Sequence, residues 1–265
     1  MKLDVASSAS GPFEGRLYWR FRPPVTMATP RQTESATILL SLEAVGRERT
    51  HRTAQPELAQ RVLALKAYQQ SRFLHTYADL LADARHAAAA RFFLDELYGP
   101  GDFSQRDMQF ARIVPAVVRL FPPEIVQTVA KLAELHALSE SLDTAMGAGL
   151  DSTAVDAASY VRAWQACGRA PDRERQVALT IAIGEALDLH TRRPMMTMSL
   201  RMMRAPARSA GLGDLQRFLE EGFETFKAMR GAERFLQTIA ERERAFAARL
   251  FETNSTATCS SGQFP

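Results

Sequence analysis

The stretch Asp214-Leu215-Gln216-Arg217-Phe218-Leu219-Glu220-Glu221-Gly222-Phe223-Glu224-Thr225-Phe226-Lys227-Ala228-Met229 decides the fold class. Leu215, Phe218, Leu219, Gly222, Phe223, Phe226 and Met229 recur every three or four residues and trace one continuous apolar face. That spacing is the 3.6-residue period of an amphipathic helix and does not fit the alternation of a strand. Gly222 lies on the apolar face, where a missing side chain lets another helix come close. After Gly231 the pattern resumes with Phe235, Leu236, Ile239, Phe246 and Leu250. An interior glycine costs only about 1 kcal/mol, so the sequence leaves open whether Gly231 breaks the helix.

The same period runs toward the N-terminus. Residues 34–49 carry Ile38, Leu39, Leu42 and Val45, with Thr33 as a plausible cap. Pro56 suits the first turn of a long helix reaching Leu81, faced by Leu58, Val62, Leu65, Tyr68, Phe73, Tyr77 and Leu80. Asp83 opens another helix, stopped by Gly99-Pro100-Gly101. Ser104 reads as a cap with Asp107 three residues on, and Asp102 is an alternative cap. The helix that follows contains Pro115, which should kink or split it, and Pro122-Pro123 end it. A long helix then reaches Met146, with Gly147-Ala148-Gly149 as its stop. A shorter one covers residues 153–166 before Gly168, and another runs from Pro171 to His190 with Val177, Ile181, Gly184 and Leu187 inward. Met195, Met196, Met198, Met202 and Met203 place half of the ten methionines in nine residues. Such a segment packs on the bundle, lines an apolar pocket or faces a partner.

These segments predict an all-α, multi-helix bundle, orthogonal or up-down, over residues 33–251. Two sub-bundles, 33–148 and 149–251, are one way to divide it. Residues 1–32, rich in Ser, Gly and Pro, read as an extended N-terminal arm, and 252–265 as a disordered tail. Within the arm, Arg16-Leu17-Tyr18-Trp19-Arg20-Phe21-Arg22 alternates basic and aromatic residues.

Composition narrows the function classes. The chain has 265 residues, and its 33 basic and 30 acidic side chains give a net charge of +3. Only Lys2, Lys66, Lys131 and Lys227 are lysines; the other bases are arginines. They are interleaved with acids, as in Glu241-Arg242-Glu243-Arg244, which suits a salt-bridged face better than a nucleic-acid stripe. Nucleic acid is therefore an improbable partner. Cys167 and Cys259 form no CxxC pair and no disulfide framework, which points to a reducing, cytoplasmic setting. No apolar run approaches the 18 residues of a membrane span, and the first residues do not look like a signal peptide.

The string Phe92-Phe93-Leu94-Asp95-Glu96-Leu97-Tyr98-Gly99-Pro100, then Asp102-Phe103-Ser104 and Arg106-Asp107, resembles the signature of an uncharacterised family of bacterial all-helical proteins. Leu215 to Phe223 and residues 235–241 resemble a second block of that group. The resemblance covers most of residues 55–245. It implies a helical fold and no established activity.

Searching for chemistry yields few motifs. There is no HExxH, no GxSxG and no glycine-rich phosphate loop. Cys167 falls at a helix C-terminus, where the dipole gives a thiolate nucleophile no help. His136, Glu140 and Asp143 share one helical side, which with His75 or His190 would resemble a metal set; one such trio on one helix is weak, and no metal site is assigned. His75, His86, His136 and His190 are each eligible as an axial heme ligand without any supporting motif, so no cofactor is assigned.

The densest polar cluster is the signature corner: Asp95, Tyr98, Gly99, Pro100, Asp102, Ser104, Arg106 and Asp107, with Glu96. Arg72 and Tyr77 on the preceding long helix would reach it if the helices are neighbours. An arginine amid acids more often forms a structural salt-bridge network than a catalytic site, so the corner is first a structural expectation. The leading functional expectation is a protein-interaction or scaffold role, through a homo-oligomer or a partner protein. The alternative is an enzyme, or a cofactor-binding or apolar-ligand-binding protein, with a pocket inside the bundle.

Overall fold

In the computed structural model, residues 30–96, 101 and 103–252 are described. Twelve helices follow one another among them. The first six are α1 (Pro30–Thr53), α2 (Pro56–Thr76), α3 (Ala78–Ala82), α4 (Ala87–Glu96), α5 (Ser104–Leu120) and α6 (Pro123–Ala148). The rest are α7 (Ala157–Cys167), α8 (Ala170–Thr191), α9 (Pro194–Met202), α10 (Arg204–Ser209), α11 (Gly213–Met229) and α12 (Glu233–Phe251). The protein is all-α. Most of the expected arm, including residues 16–22, and the tail from residue 253 lie outside the described residues.

α6 is the spine, packed on α1, α2, α5, α7 and α8. Three apolar clusters surround it. One gathers Phe73 and Tyr77 with Phe92 and Phe93 of α4, Phe218 and Phe226 of α11 and Phe235 of α12. A second joins Leu65 and Met146 to Tyr160 and Trp164 of α7 and Phe246 of α12. The third sets Ile38 of α1 against Val114 and Val118 of α5 and Val126 of α6. Burying a Leu- or Phe-sized side chain contributes about 1.5–3 kcal/mol, so these clusters drive the assembly.

Several local expectations change. α1 starts at Pro30, so Thr33 lies inside its first turn instead of capping it. α2 does not run on to Leu81. Tyr77 leaves helical geometry (φ −117°, ψ 24°) because its ring is wholly buried and its hydroxyl donates to Glu243 Oε1 at 2.6 Å. Asp83 precedes α4 by four residues, and its Oδ1 accepts the amides of Arg85 and His86. Pro115 sits on the exposed side of α5 and does not split it. α7 begins at Ala157, set by a capping box between Asp156 and Ser159. On α8 the buried row is Leu179, Ile183 and Gly184, whereas Val177, Ile181 and Leu187 are half-buried.

Glycines settle three contacts. Gly147 does not stop α6; it lies within the helix, where a Cβ would overlap Cγ2 of Val62 on α2. Gly222 admits α4 as its position suggests, since a Cβ there would sit 2.9 Å from Phe92 Cζ. Gly231 (φ 117°) does separate two helices, after Arg230 closes α11 in the left-handed region.

The methionine-rich segment does not pack into the core. No residue of α9 is buried, and Met195, Met198 and Met202 are 80%, 60% and 70% exposed. Among the described residues, no helix is long and apolar enough to cross a membrane.

Candidate functional site

A cavity of about 180 Å³ runs beside α6. Its two ends differ. Phe110, Ile113 and Val117 of α5, Val129 and Leu132 of α6 and Leu219 of α11 line one end. The other receives Lys66, Gln69 and Arg72 of α2, Ser139, Glu140 and Asp143 of α6, Arg173 and Gln176 of α8, and Glu243 of α12. Tyr160 and Trp164 of α7 close that end. From Val129 to Asp143 the helix rises about 21 Å, so the lining changes from hydrocarbon to charge along one helix face.

The polar end is built from ion pairs. Glu140 accepts from Arg52 of α1 and, at 2.6 Å, from Lys66 Nζ. Burial pushes its carboxyl upward, but these two cations outweigh that and hold it at about 2. Asp143, one turn along, accepts from Gln69 at 3.1 Å and lies 3.7 Å from Lys66. Here burial wins and the carboxyl is pushed up from its usual range, with neighbouring Glu140 adding to the effect. Arg72 meets Glu243 through both nitrogens, at 2.9 and 3.2 Å, with its guanidinium 4.3 Å from the centroid of the Phe246 ring.

Midway along the cavity, Asp107 Oδ2 lies 2.6 Å from Arg49 Nη2 and 2.8 Å from His136 Nε2. Burial raises its carboxyl, but the bonds from His136 and Arg49 bring it below the usual range. Arg106 donates to Glu96 at 2.9 Å and is sandwiched by Phe103 and Phe218, each 4.2 Å away.

The described residues of the signature corner take different places. Arg106 and Asp107 line the cavity, and so does Arg72, across from them on α2. Tyr77 joins Arg72 on Glu243. Asp95 faces solvent. Ser104 is the first residue of α5, so the cap position expected of it falls on Phe103. Tyr98, Gly99, Pro100 and Asp102 lie outside the described residues.

His136, Glu140 and Asp143 do share a wall, but each is engaged by other side chains. Among the described residues, no three His, Cys, Asp or Glu side chains are placed to hold a metal. The other histidines are dispersed: His75 bonds Ser71, His86 bonds Asp83, and His190 lies near Thr128.

Sequence reasoning missed Lys66, Gln69, Arg173, Gln176, Trp164 and Glu243. A signal exists for some. Lys66, Gln69 and Arg72 on α2, and Arg173, Gln176 and Thr180 on α8, repeat at helical spacing and form polar stripes. Read alone, such a stripe looks like a solvated face.

Fold and site together define an all-α protein with a cavity between its helices, apolar at one end and charged at the other. A family model described as a domain of unknown function, DUF8198, matches residues 48–257, and the chain belongs to that family. This agrees with the resemblance to an uncharacterised helical family. Comparison with curated proteins and with solved structures gives no match.

Proposed function

We propose that this is a small-molecule-binding protein whose site is the cavity beside α6, used as a receptor or as an enzyme's interior site. One observation carries the reading: side chains from α2, α5, α6, α8 and α12 converge their polar groups on one cavity with apolar walls. Ligand sites are concave and mostly apolar, with few fixed polar groups. A core evolved only for packing leaves few voids larger than a water molecule. Native mass spectrometry of freshly purified protein tests this. The expected result is a small molecule retained on the folded chain and lost on denaturation. Re-adding it at a hundredfold its Kd should stabilise the protein by about 2.7 kcal/mol. A ligand-free protein that no small molecule stabilises would overturn the reading.

A second reading, association with a copy of itself or with a partner protein, is favoured by α9. Met195, Met198 and Met202 form an exposed apolar row, and methionine-rich rows suit adaptable interfaces. Sedimentation equilibrium of the native chain and of a Met195→Ser, Met198→Ser, Met202→Ser variant tests self-association. A dimer that the triple variant dissociates supports it. A native chain that stays monomeric counts against it.

A further inference from the structure

Arg173 is the anomaly in the cavity. Lys66, Arg72 and Arg106 each have a carboxylate oxygen within 3 Å, supplied by Glu140, Glu243 and Glu96. Arg173 is 6% exposed, yet no carboxylate of the described residues lies within ion-pair distance of it. Its guanidinium lies 3.9 Å from the centroid of the Trp164 ring. It donates to Gln176 Oε1 at 3.2 Å and to the thioether of Met146 at 2.8 Å. Both acceptors are neutral, and a thioether is a weak one. Asp143, whose carboxyl feels the charge of Arg173, is bonded to Gln69 and faces Lys66. Beside this cation the indole Nε1–H of Trp164 is buried without a hydrogen-bond partner among the described residues. Burying a cation with no anion costs several kcal/mol, and so does burying an unused donor to a lesser degree. An anionic group arriving at this spot relieves both.

The opposite end of the cavity has no such demand. Phe110, Ile113, Val117, Val129 and Leu132 offer only hydrocarbon. We propose that the cavity takes an amphipathic carboxylate, its apolar chain lying along α6 and its carboxylate on Arg173 beside Trp164. The planar guanidinium fork matches a carboxylate better than it matches a neutral head group. This inference rests on the cavity being a ligand site and adds the class of ligand.

Calorimetry with three probes of one chain length tests it: decanoate, decan-1-ol and decylammonium, each titrated into the full-length protein. Decanoate should bind at least about tenfold more tightly than decan-1-ol, the worth of a charged hydrogen bond. Decylammonium should bind weakest. Arg173→Met should erase the preference for decanoate and leave decan-1-ol binding intact, and Arg173→Lys should retain part of it. Should Arg173→Met fail to fold, the head-group series on the native chain decides alone. Equal binding of decanoate and decan-1-ol overturns the carboxylate assignment and leaves the cavity as a site. A small molecule retained in native mass spectra while none of the three probes binds overturns this inference alone. Binding of none, with no retained molecule, overturns both.

Discussion

Arg72 of α2 and Glu243 of α12, 171 residues apart, close on each other at 2.9 and 3.2 Å. The pair ties an early helix to the last one across the cavity, and Tyr77 donates to the same carboxylate at 2.6 Å. Arg72 is 3% exposed, so a lost partner leaves a buried cation behind. Glu243→Gln should therefore cost about 3 kcal/mol in urea unfolding. Arg72→Met with Glu243→Gln should cost less than the two singles added, because no charge is then stranded. Additive costs would mean that the two side chains act independently.

Gly147 and Val62 set how closely α6 and α2 pack. A methyl group at Gly147 has no room beside Val62 Cγ2. Gly147→Ala should destabilise by about 1–3 kcal/mol through overpacking, despite alanine's better helix propensity. Adding Val62→Ala should recover part of the loss, although Val62 itself is buried. A Gly147→Ala protein with raised melting temperature would show that the helices separate easily there.

Helix existence was legible because the apolar spacing on α11, α12, α2 and α6 is a property of each segment alone. Breaks that depend on distant partners were not. Tyr77 ends α2 because its hydroxyl reaches Glu243 of α12, and nothing near Tyr77 in sequence announces this. Gly147 sits in a glycine pair that resembles a stop, and only the proximity of α2 explains its place inside α6. In the site, helical spacing alone put His136, Glu140 and Asp143 on one side of α6. Their partners Asp107, Arg52, Lys66 and Gln69 come from three other helices, so the network stays hidden until the helices are placed.

The start of α11 is fixed by a side chain from another helix. Gln109 of α5 accepts the amide of Leu215 at 3.0 Å and donates to Asp214 Oδ2 at 3.2 Å. Leu212, at the cap position, has no side-chain oxygen to do this. Gln109→Leu should cost about 1–3 kcal/mol, the penalty for an unsatisfied buried amide. Hydrogen exchange at Leu215 should quicken more than at Phe226, farther along the helix. Uniform quickening along α11 would indicate a general loss of stability instead of a lost cap.

Glu140 and Asp143, one turn apart on α6, should respond to acid in opposite directions. Lys66 and Arg52 overcome the burial of Glu140 and hold its carboxyl at about 2, below its ordinary 4.5. Its stabilising effect is complete above 4.5 and disappears as the pH falls toward 2. That shift is worth about 3 kcal/mol at pH 7. Asp143 is raised by burial, so its charge is a cost above its folded-state value. The cost is relieved as the pH falls, and it vanishes below the ordinary 3.8, where both folded and unfolded chains are protonated. Glu140→Gln should therefore lower stability by about 3 kcal/mol at pH 7 and flatten the acid limb of the stability curve. Asp143→Asn should raise stability at pH 7 and converge with the native protein below pH 3.8. Urea unfolding of the three proteins between pH 2 and pH 8 measures both effects. A destabilised Asp143→Asn at neutral pH would show that Lys66 depends on both carboxylates, and that the charge of Asp143 helps hold the cavity wall together.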